Sequence, residues 1–220
     1  MNKTHFLSLL LSVLLFSCFK KETDLARKTT GKINTISVII DDQLWNGEIG
    51  DSIRNKFASP VIGLPEEEPL FTINQYPVKL LEGFATDSRA ILIIKKATKT
   101  RFEIKRNQYA SPQNVFHISG KTTDELLQLL EKHSPNIIRL IEKGEIAQSQ
   151  EINKKALLST AFFKKQFQLT IEVPSDFETV LRKPNFVWLK KNSISGSSSL
   201  LLYQLPLKKI TSSNVAVDIL

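Results

Sequence analysis

One cysteine, one methionine, two tryptophans, three histidines and eight glycines are all that 220 residues contain of these types. A lone cysteine cannot close an intramolecular disulfide, nor build a Cys-rich zinc or iron–sulfur site. Glycine and proline are too scarce for a fibrous chain, and an apolar share of 41% is too high for an intrinsically disordered one. The apolar run Phe6–Phe16 is about half of the roughly 20 residues that a membrane-spanning helix needs. No G-x-S-x-G elbow is present, and the only S-x-x-K string runs from Ser17 to Lys20. What the chain does have is positive charge: 30 Lys and Arg against 22 Asp and Glu, a formal excess of +8.

The start of the chain carries the most specific signal. Lys3 precedes FLSLLLSVLLF (Phe6–Phe16), and Leu15-Phe16-Ser17-Cys18 is followed at once by the polar FKKETD. A short positive segment, a short apolar core and a small residue before a cut describe a secretory signal over 1–17. The Leu-x-Ser-Cys string resembles a bacterial lipobox, which implies that Cys18 is acylated and becomes the new N-terminus. Several acyl chains on one residue exceed the two-signal requirement for stable anchoring. Phe19 is not the Asp that favours inner-membrane retention in that class, so the expected location is the outer membrane, lipid-anchored.

The mature chain reads as a mixture of strands and helices without regular βαβ alternation, hence α+β. Residues 18–32 read as a lipidated Cys and a polar tether. Residues 33–40 are β-branched and read as a strand, continuously apolar at its end and therefore central. Ile49, Ile53 and Phe57 stand four apart and predict a helix that Ser59-Pro60 ends. Residues 60–69 hold three of the nine prolines and a run of three Glu, which predicts a loop. Short strands are expected at 70–73, broken by Gln75-Tyr76-Pro77, and at 90–94, 101–106 and 115–119. Thr122 and Glu125 fit a capping box before a helix whose stripe is Leu126, Leu130, Ile137 and Ile141, with a kink or restart at Ser134-Pro135. Residues 145–166 read as helical, 168–173 as a strand, and 186–189 and 200–203 as two more strands joined by SISGSSS. The expected architecture is a mixed, largely antiparallel sheet with helices on one face over 33–144. A second, incomplete α+β unit follows over 145–220.

Candidate chemistry is sparse. Asp41 and Asp42 follow a hydrophobic strand, where paired carboxylates suit a divalent cation or acid–base work. The same pair also serves simply to end the strand and favour the positive start of a helix. Trp45 is a candidate contact residue or a half-buried core residue. Gly120-Lys121-Thr122 looks like the tail of a phosphate-binding loop, but the first glycine of that pattern would fall where Val115 stands. His117 and His133 are isolated and make no metal-binding spacing. Lys95, Lys96, Lys99, Arg101, Lys105 and Arg106 form a basic stretch around Phe102. This arrangement suits a nucleic-acid stacking platform, a solvated strand face or anionic lipid headgroups. Export argues against nucleic acid.

The strings ISVIIDDQLWNGEIGDSIR, FASPVIGLPEEEPLFTINQYPVKLLEGF, YASPQNVFHISG and FVWLKKNSISGSSSLLLYQLPL, with the lipobox, resemble a family of Bacteroidota lipoproteins known as domain of unknown function 4837. The resemblance covers about Cys18 to Leu207 and implies an envelope location and an α+β fold. It brings no catalytic, metal or cofactor residue with it. Members that look like this continue well past the equivalent of Leu207, which suggests a truncated, frameshifted or shortened copy here. The sequence therefore predicts a lipid-anchored envelope protein acting as a non-enzymatic binding or structural module. Its expected partners are the membrane and an envelope protein or glycan, with no cofactor. The alternative is an envelope hydrolase using Asp41 and Asp42, with a divalent cation.

Overall fold

The two most apolar β-branched stretches become two of the three inner strands of the larger sheet. Thr35–Ile40 forms β1, and it lies between β2 (Thr72–Tyr76) and β3 (Ala90–Lys96). Strands β4 (Arg101–Arg106) and β5 (Asn114–Gly120) complete five strands in the order β2-β1-β3-β5-β4. The computed structural model describes residues 27–63, 66–193 and 196–206, so the signal segment, Cys18 and the chain beyond Pro206 lie outside the described residues.

The class is mixed α and β, as expected, but this sheet is not largely antiparallel. β1 runs parallel to β2 and β3, β3 runs parallel to β5, and only β4 is antiparallel. The physical reason is burial on both faces. Ile36 to Ile40 and Ala90 to Ile94 are buried without a break, the mark of parallel strands covered from two sides. The strict alternation of RFEIKR belongs to the one antiparallel edge strand, β4.

Helices α1 (Asp42–Trp45) and α2 (Glu48–Phe57) lead from β1 toward β2. Ile49, Ile53 and Phe57 are buried along α2, as their spacing predicts. Helix α3 (Thr123–Asn153) begins after Thr122, whose Oγ1 accepts from the Glu125 amide at 3.2 Å. The Glu125 carboxylate accepts from the Lys121 amide at 2.8 Å, one residue upstream of the expected capping-box partner. The helix does not break at Pro135. One lost backbone bond there is outweighed by burial of Leu126 and Leu130 before it and Ile137 and Ile141 after it.

Strand parity assigns the two faces of the sheet. Phe102 is in register with Ile118, and its ring stacks on His133 of α3 at 3.9 Å. The first turns of α3 therefore cover the face of Phe102, Phe116 and Ile118, and an ion pair between Lys56 and Glu131 places α2 beside them. On the opposite face Ile39, Ile91, Ile93 and Val115 pack under Val78 and Ala85 from two short 3-10 turns, Val78–Leu80 and Gly83–Thr86, and under Leu81 between them.

Residues 27–32, expected to belong to a tether, are held as a strap. Thr29 and Thr30 donate to Ser111 and Asp87 carbonyls, and Ser111 donates back to Arg27. The guanidinium of Arg89, 9% exposed, donates to the carbonyls of Gly31 at 3.1 Å and Lys32 at 2.6 Å.

The boundary between two compact units falls inside α3, between Ser134 and Pro135. In the second unit, α3 stops at Asn153 and α4 (Ala161–Phe167) follows, so 145–166 is not one continuous helix. Residues 168–173 are not a strand. Gln168 caps α4 in the left-handed region at φ 55°, and the stretch bonds to the preceding loop (Leu158 amide to Val173 carbonyl, Thr160 hydroxyl to Ile171 carbonyl). A three-stranded antiparallel sheet, β6-β7-β8, is built from Glu178–Lys183, Phe186–Ser193 and Gly196–Tyr203. β6 escaped sequence reading because all six of its residues are exposed. β7 and β8 run into the Ser-rich stretch expected to be loop, with Ser197–Ser199 in register with Lys190–Asn192. Phe163, Val173, Val187 and Leu189 form this unit's core.

Candidate functional site

The cover over the open face of the larger sheet ends at Ile93, and beyond it the sheet exposes polar residues. β5 sits between β3 and β4, so its outward side chains have a neighbour on each side. His117 is flanked by Ile93 and Glu103, Ser119 by Lys95 and Arg101, and Val115 by Ile91 and Lys105. Adjacent strands lie about 4.8 Å apart, so these side chains share one floor. The connection from β3 to β4 crosses the carboxyl end of β5 and is pinned there. Ala97 donates to the Gly120 carbonyl at 2.8 Å, and the Ser119 hydroxyl donates to the Lys99 carbonyl at 3.0 Å.

The result is a cleft of about 370 Å³, lined among others by Lys95, Lys99, Arg101, Glu103, Lys105 and His117. Four cations face one carboxylate. Arg101 is paired with Glu103 at 2.6 Å, whereas Lys95, Lys99 and Lys105 are in no salt bridge among the described residues. His117 Nε2 donates to Gln108 Oε1 at 2.7 Å. Burial holds the His117 ring below its ordinary value; Lys105, Lys95 and Arg101 push the same way, and Glu103 opposes them. A neutral imidazole amid unpaired ammonium groups leaves the cleft positive without adding to the repulsion. The cleft lies toward the carboxyl ends of parallel strands, where open α/β sheets commonly bind ligands.

The basic stretch seen in the sequence divides between two faces. Lys95, Arg101 and Lys105 reach the cleft, while Lys96 and Arg106 are in register with Gly120 and Asn114 on the helix-covered face. Phe102 also lies on that face against His133, away from the cations it would have to join as a stacking platform. His133 is held below its ordinary value by burial and then by Lys132.

Asp41, Asp42 and Trp45 are placed elsewhere. Asp41 precedes α1 with an extended backbone and makes no side-chain cap, and Asp42 opens the helix. Both are exposed, and Asp42 Oδ1 accepts from Gln75 Nε2 at 3.2 Å. The described residues contain no group of three His, Cys, Asp or Glu able to hold a metal ion. Trp45 is half-buried under the Arg54 guanidinium, 4.6 Å from its ring centre. Arg54 is itself paired with Asp51 at 2.7 Å. Gly120-Lys121-Thr122 leads into α3, where Thr122 Oγ1 accepts from the Glu125 amide. What sequence reading missed was the grouping of Glu103 and His117 with the lysines. Alternation gave the parity within β4, but the neighbour of β4 could not be known without the strand order.

A family model described as domain of unknown function (DUF8532) matches residues 29–154, more than half of the chain. The chain belongs to the DUF8532 family. Residues 156–220 match a second model, domain of unknown function (DUF4837). The expected resemblance to DUF4837 is thus borne out for the C-terminal part, while the part before it is the DUF8532 domain that carries the cleft. The DUF4837 match continues to residue 220, past Leu207 where the resemblance was expected to end. No curated protein and no solved structure matches. Among the described residues no helix is long and apolar enough to cross a membrane.

Proposed function

We propose that this chain is a lipid-anchored cell-envelope protein of the outer membrane that acts as a non-enzymatic binding module, with the cationic cleft as its binding surface. The observation that carries the binding role is that Lys95, Lys99 and Lys105, which are in no salt bridge among the described residues, line one concave face of the sheet. Support for the anchor is the short signal ending in Leu15-Phe16-Ser17-Cys18, with the chain's only cysteine at the acylated position. The exposed pair Asp41 and Asp42 has no further acid or histidine grouped with it among the described residues, so the hydrolase reading gains no support.

The anchor is tested by metabolic labelling with palmitate. The wild-type chain should take up label and sediment with membranes, and Cys18→Ser should do neither. A Cys18→Ser chain that remains acylated would sink the anchor. The binding surface is tested by photocrosslinking in cells from position 98 in the cleft against position 43, exposed on α1. Adducts specific to position 98 are expected, and identical patterns from both positions would refute the surface.

A further inference from the structure

We propose that the cleft of β3, β4 and β5 is a site for a phosphomonoester, held by the ammonium groups of Lys95, Lys99 and Lys105. The inference rests on the binding role proposed above and names its ligand class. Lys95, Lys99, Arg101 and Lys105 against Glu103 leave an excess of three positive charges around one cavity. That excess calls for a ligand carrying more than one negative charge.

The kind of cation narrows the choice further. A guanidinium is the group that matches a planar carboxylate with two parallel hydrogen bonds, and the one guanidinium in the cleft lining, that of Arg101, already has Nη2 paired with Glu103 at 2.6 Å. The remaining cations are ammonium groups, compact charges with three donors each, which suit the several oxygens of a tetrahedral phosphate. They come from three directions: Lys95 from β3, Lys99 from the pinned connection, and Lys105 from β4. His117 and Ser119 add polar groups to the floor between them. The volume of about 370 Å³ is at the small end of ligand sites, enough for a phosphate with a few carbons attached. A membrane lipid headgroup and a soluble phosphate ester both present this group.

The test uses the full chain carrying Cys18→Ser. Calorimetry measures binding of glycerol 3-phosphate and, as a carboxylate of similar size, glucuronate. Sedimentation measures binding to phosphatidylcholine vesicles with and without phosphatidic acid. Glycerol 3-phosphate should bind at least about tenfold more tightly than glucuronate. The double variant Lys95→Gln/Lys105→Gln should weaken binding about tenfold or more. Lys96→Gln/Arg106→Gln removes the same charge from the same strands on the opposite face and should change binding less than about twofold. If the strand variants fail to fold, Lys99→Gln in the exposed connection gives the same reading. Sedimentation only with phosphatidic acid assigns the lipid-borne source, and binding of the free ester without sedimentation assigns the soluble one. Glucuronate binding as tightly as the phosphate would overturn the phosphomonoester while leaving an anion-binding cleft. Absence of binding in every arm, or equal losses in the two double variants, would overturn both.

Discussion

Gly50 occupies the third position of α2 and is buried. By helix propensity alone, alanine there should stabilise the chain by about 1 kcal/mol. The packing reverses that sign. A Cβ on Gly50 would lie 1.7 Å from the carbonyl oxygen of Trp45, 2.6 Å from its carbonyl carbon and 3.0 Å from its Cα. These are backbone atoms at the end of α1, so no side-chain rotation relieves the overlap. The two helices would have to part by more than about 1 Å. Movement of that size would loosen the Arg54 cover on the Trp45 ring and the burial of Leu44, Ile49 and Ile53 around it. Overpacking of this kind costs about 1–3 kcal/mol or more, and the propensity gain offsets only part of it. Gly50→Ala should therefore lose about 2 kcal/mol in urea unfolding followed by circular dichroism, with a change in the near-ultraviolet tryptophan signal. Asn55→Ala, exposed on the same helix, should be neutral or slightly stabilising. If Gly50→Ala is as stable as wild type, the approach of α1 to α2 is not what makes glycine necessary.

Three further outcomes follow from other parts of the fold. Gln113, 4% exposed, donates to the Thr86 and Ser88 carbonyls at 2.7 and 2.8 Å and accepts from the Tyr109 amide at 3.0 Å. Gln113→Leu leaves these groups unpaired and should cost about 3 kcal/mol, with faster exchange of the Tyr109 amide; unchanged exchange would count against it. His117 is held below its ordinary value of about 6.5, so the unfolded chain takes up the proton first as pH falls. Stability should be full above that pH and decline below it, with His133 adding in the same direction. His117→Asn should flatten the slope of the urea midpoint between pH 7.5 and 5.5, and an unchanged slope would refute its assignment. Phe163→Ala should cost about 3–5 kcal/mol in the second unit, read as lost hydrogen-exchange protection in β7 and β8. Protection retained in both strands would show that this core does not support the sheet.

Where burial and periodicity coincide, the sequence announced the element. Ile49, Ile53 and Phe57 announced α2, the capping residues at Thr122 and Glu125 announced the start of α3, and the alternation of RFEIKR announced a half-solvated antiparallel strand. Parallel pairing was harder, because partners such as β1 and β2 lie on either side of a helix and a long loop, and nothing local encodes their register. β6 is exposed on both sides, and its two apolar residues, Val180 and Leu181, are adjacent rather than alternating, so it carried no pattern. QLTIEV alternates like a strand, yet its bonds go to the loop before α4, so alternation without a neighbouring strand misled. The basic residues of the cleft were visible one by one. Their convergence depended on β5 being placed between two strands that follow each other in sequence.

The strap at residues 27–32 has a mechanical consequence. A pull applied at Arg27 enters the folded sheet through Arg27 to Lys32. There the load passes to the segments just before β3 and β5 through Asp87, Arg89 and Ser111. The two bridges, Lys28 with Ser111 and Thr30 with Ser88, are parallel, and the Arg89 guanidinium grips two successive carbonyls beside them. Tension would therefore be spread over several bonds before it reached the sheet core. The cleft, at the other ends of β3 and β5, would keep its shape while the strap took the strain.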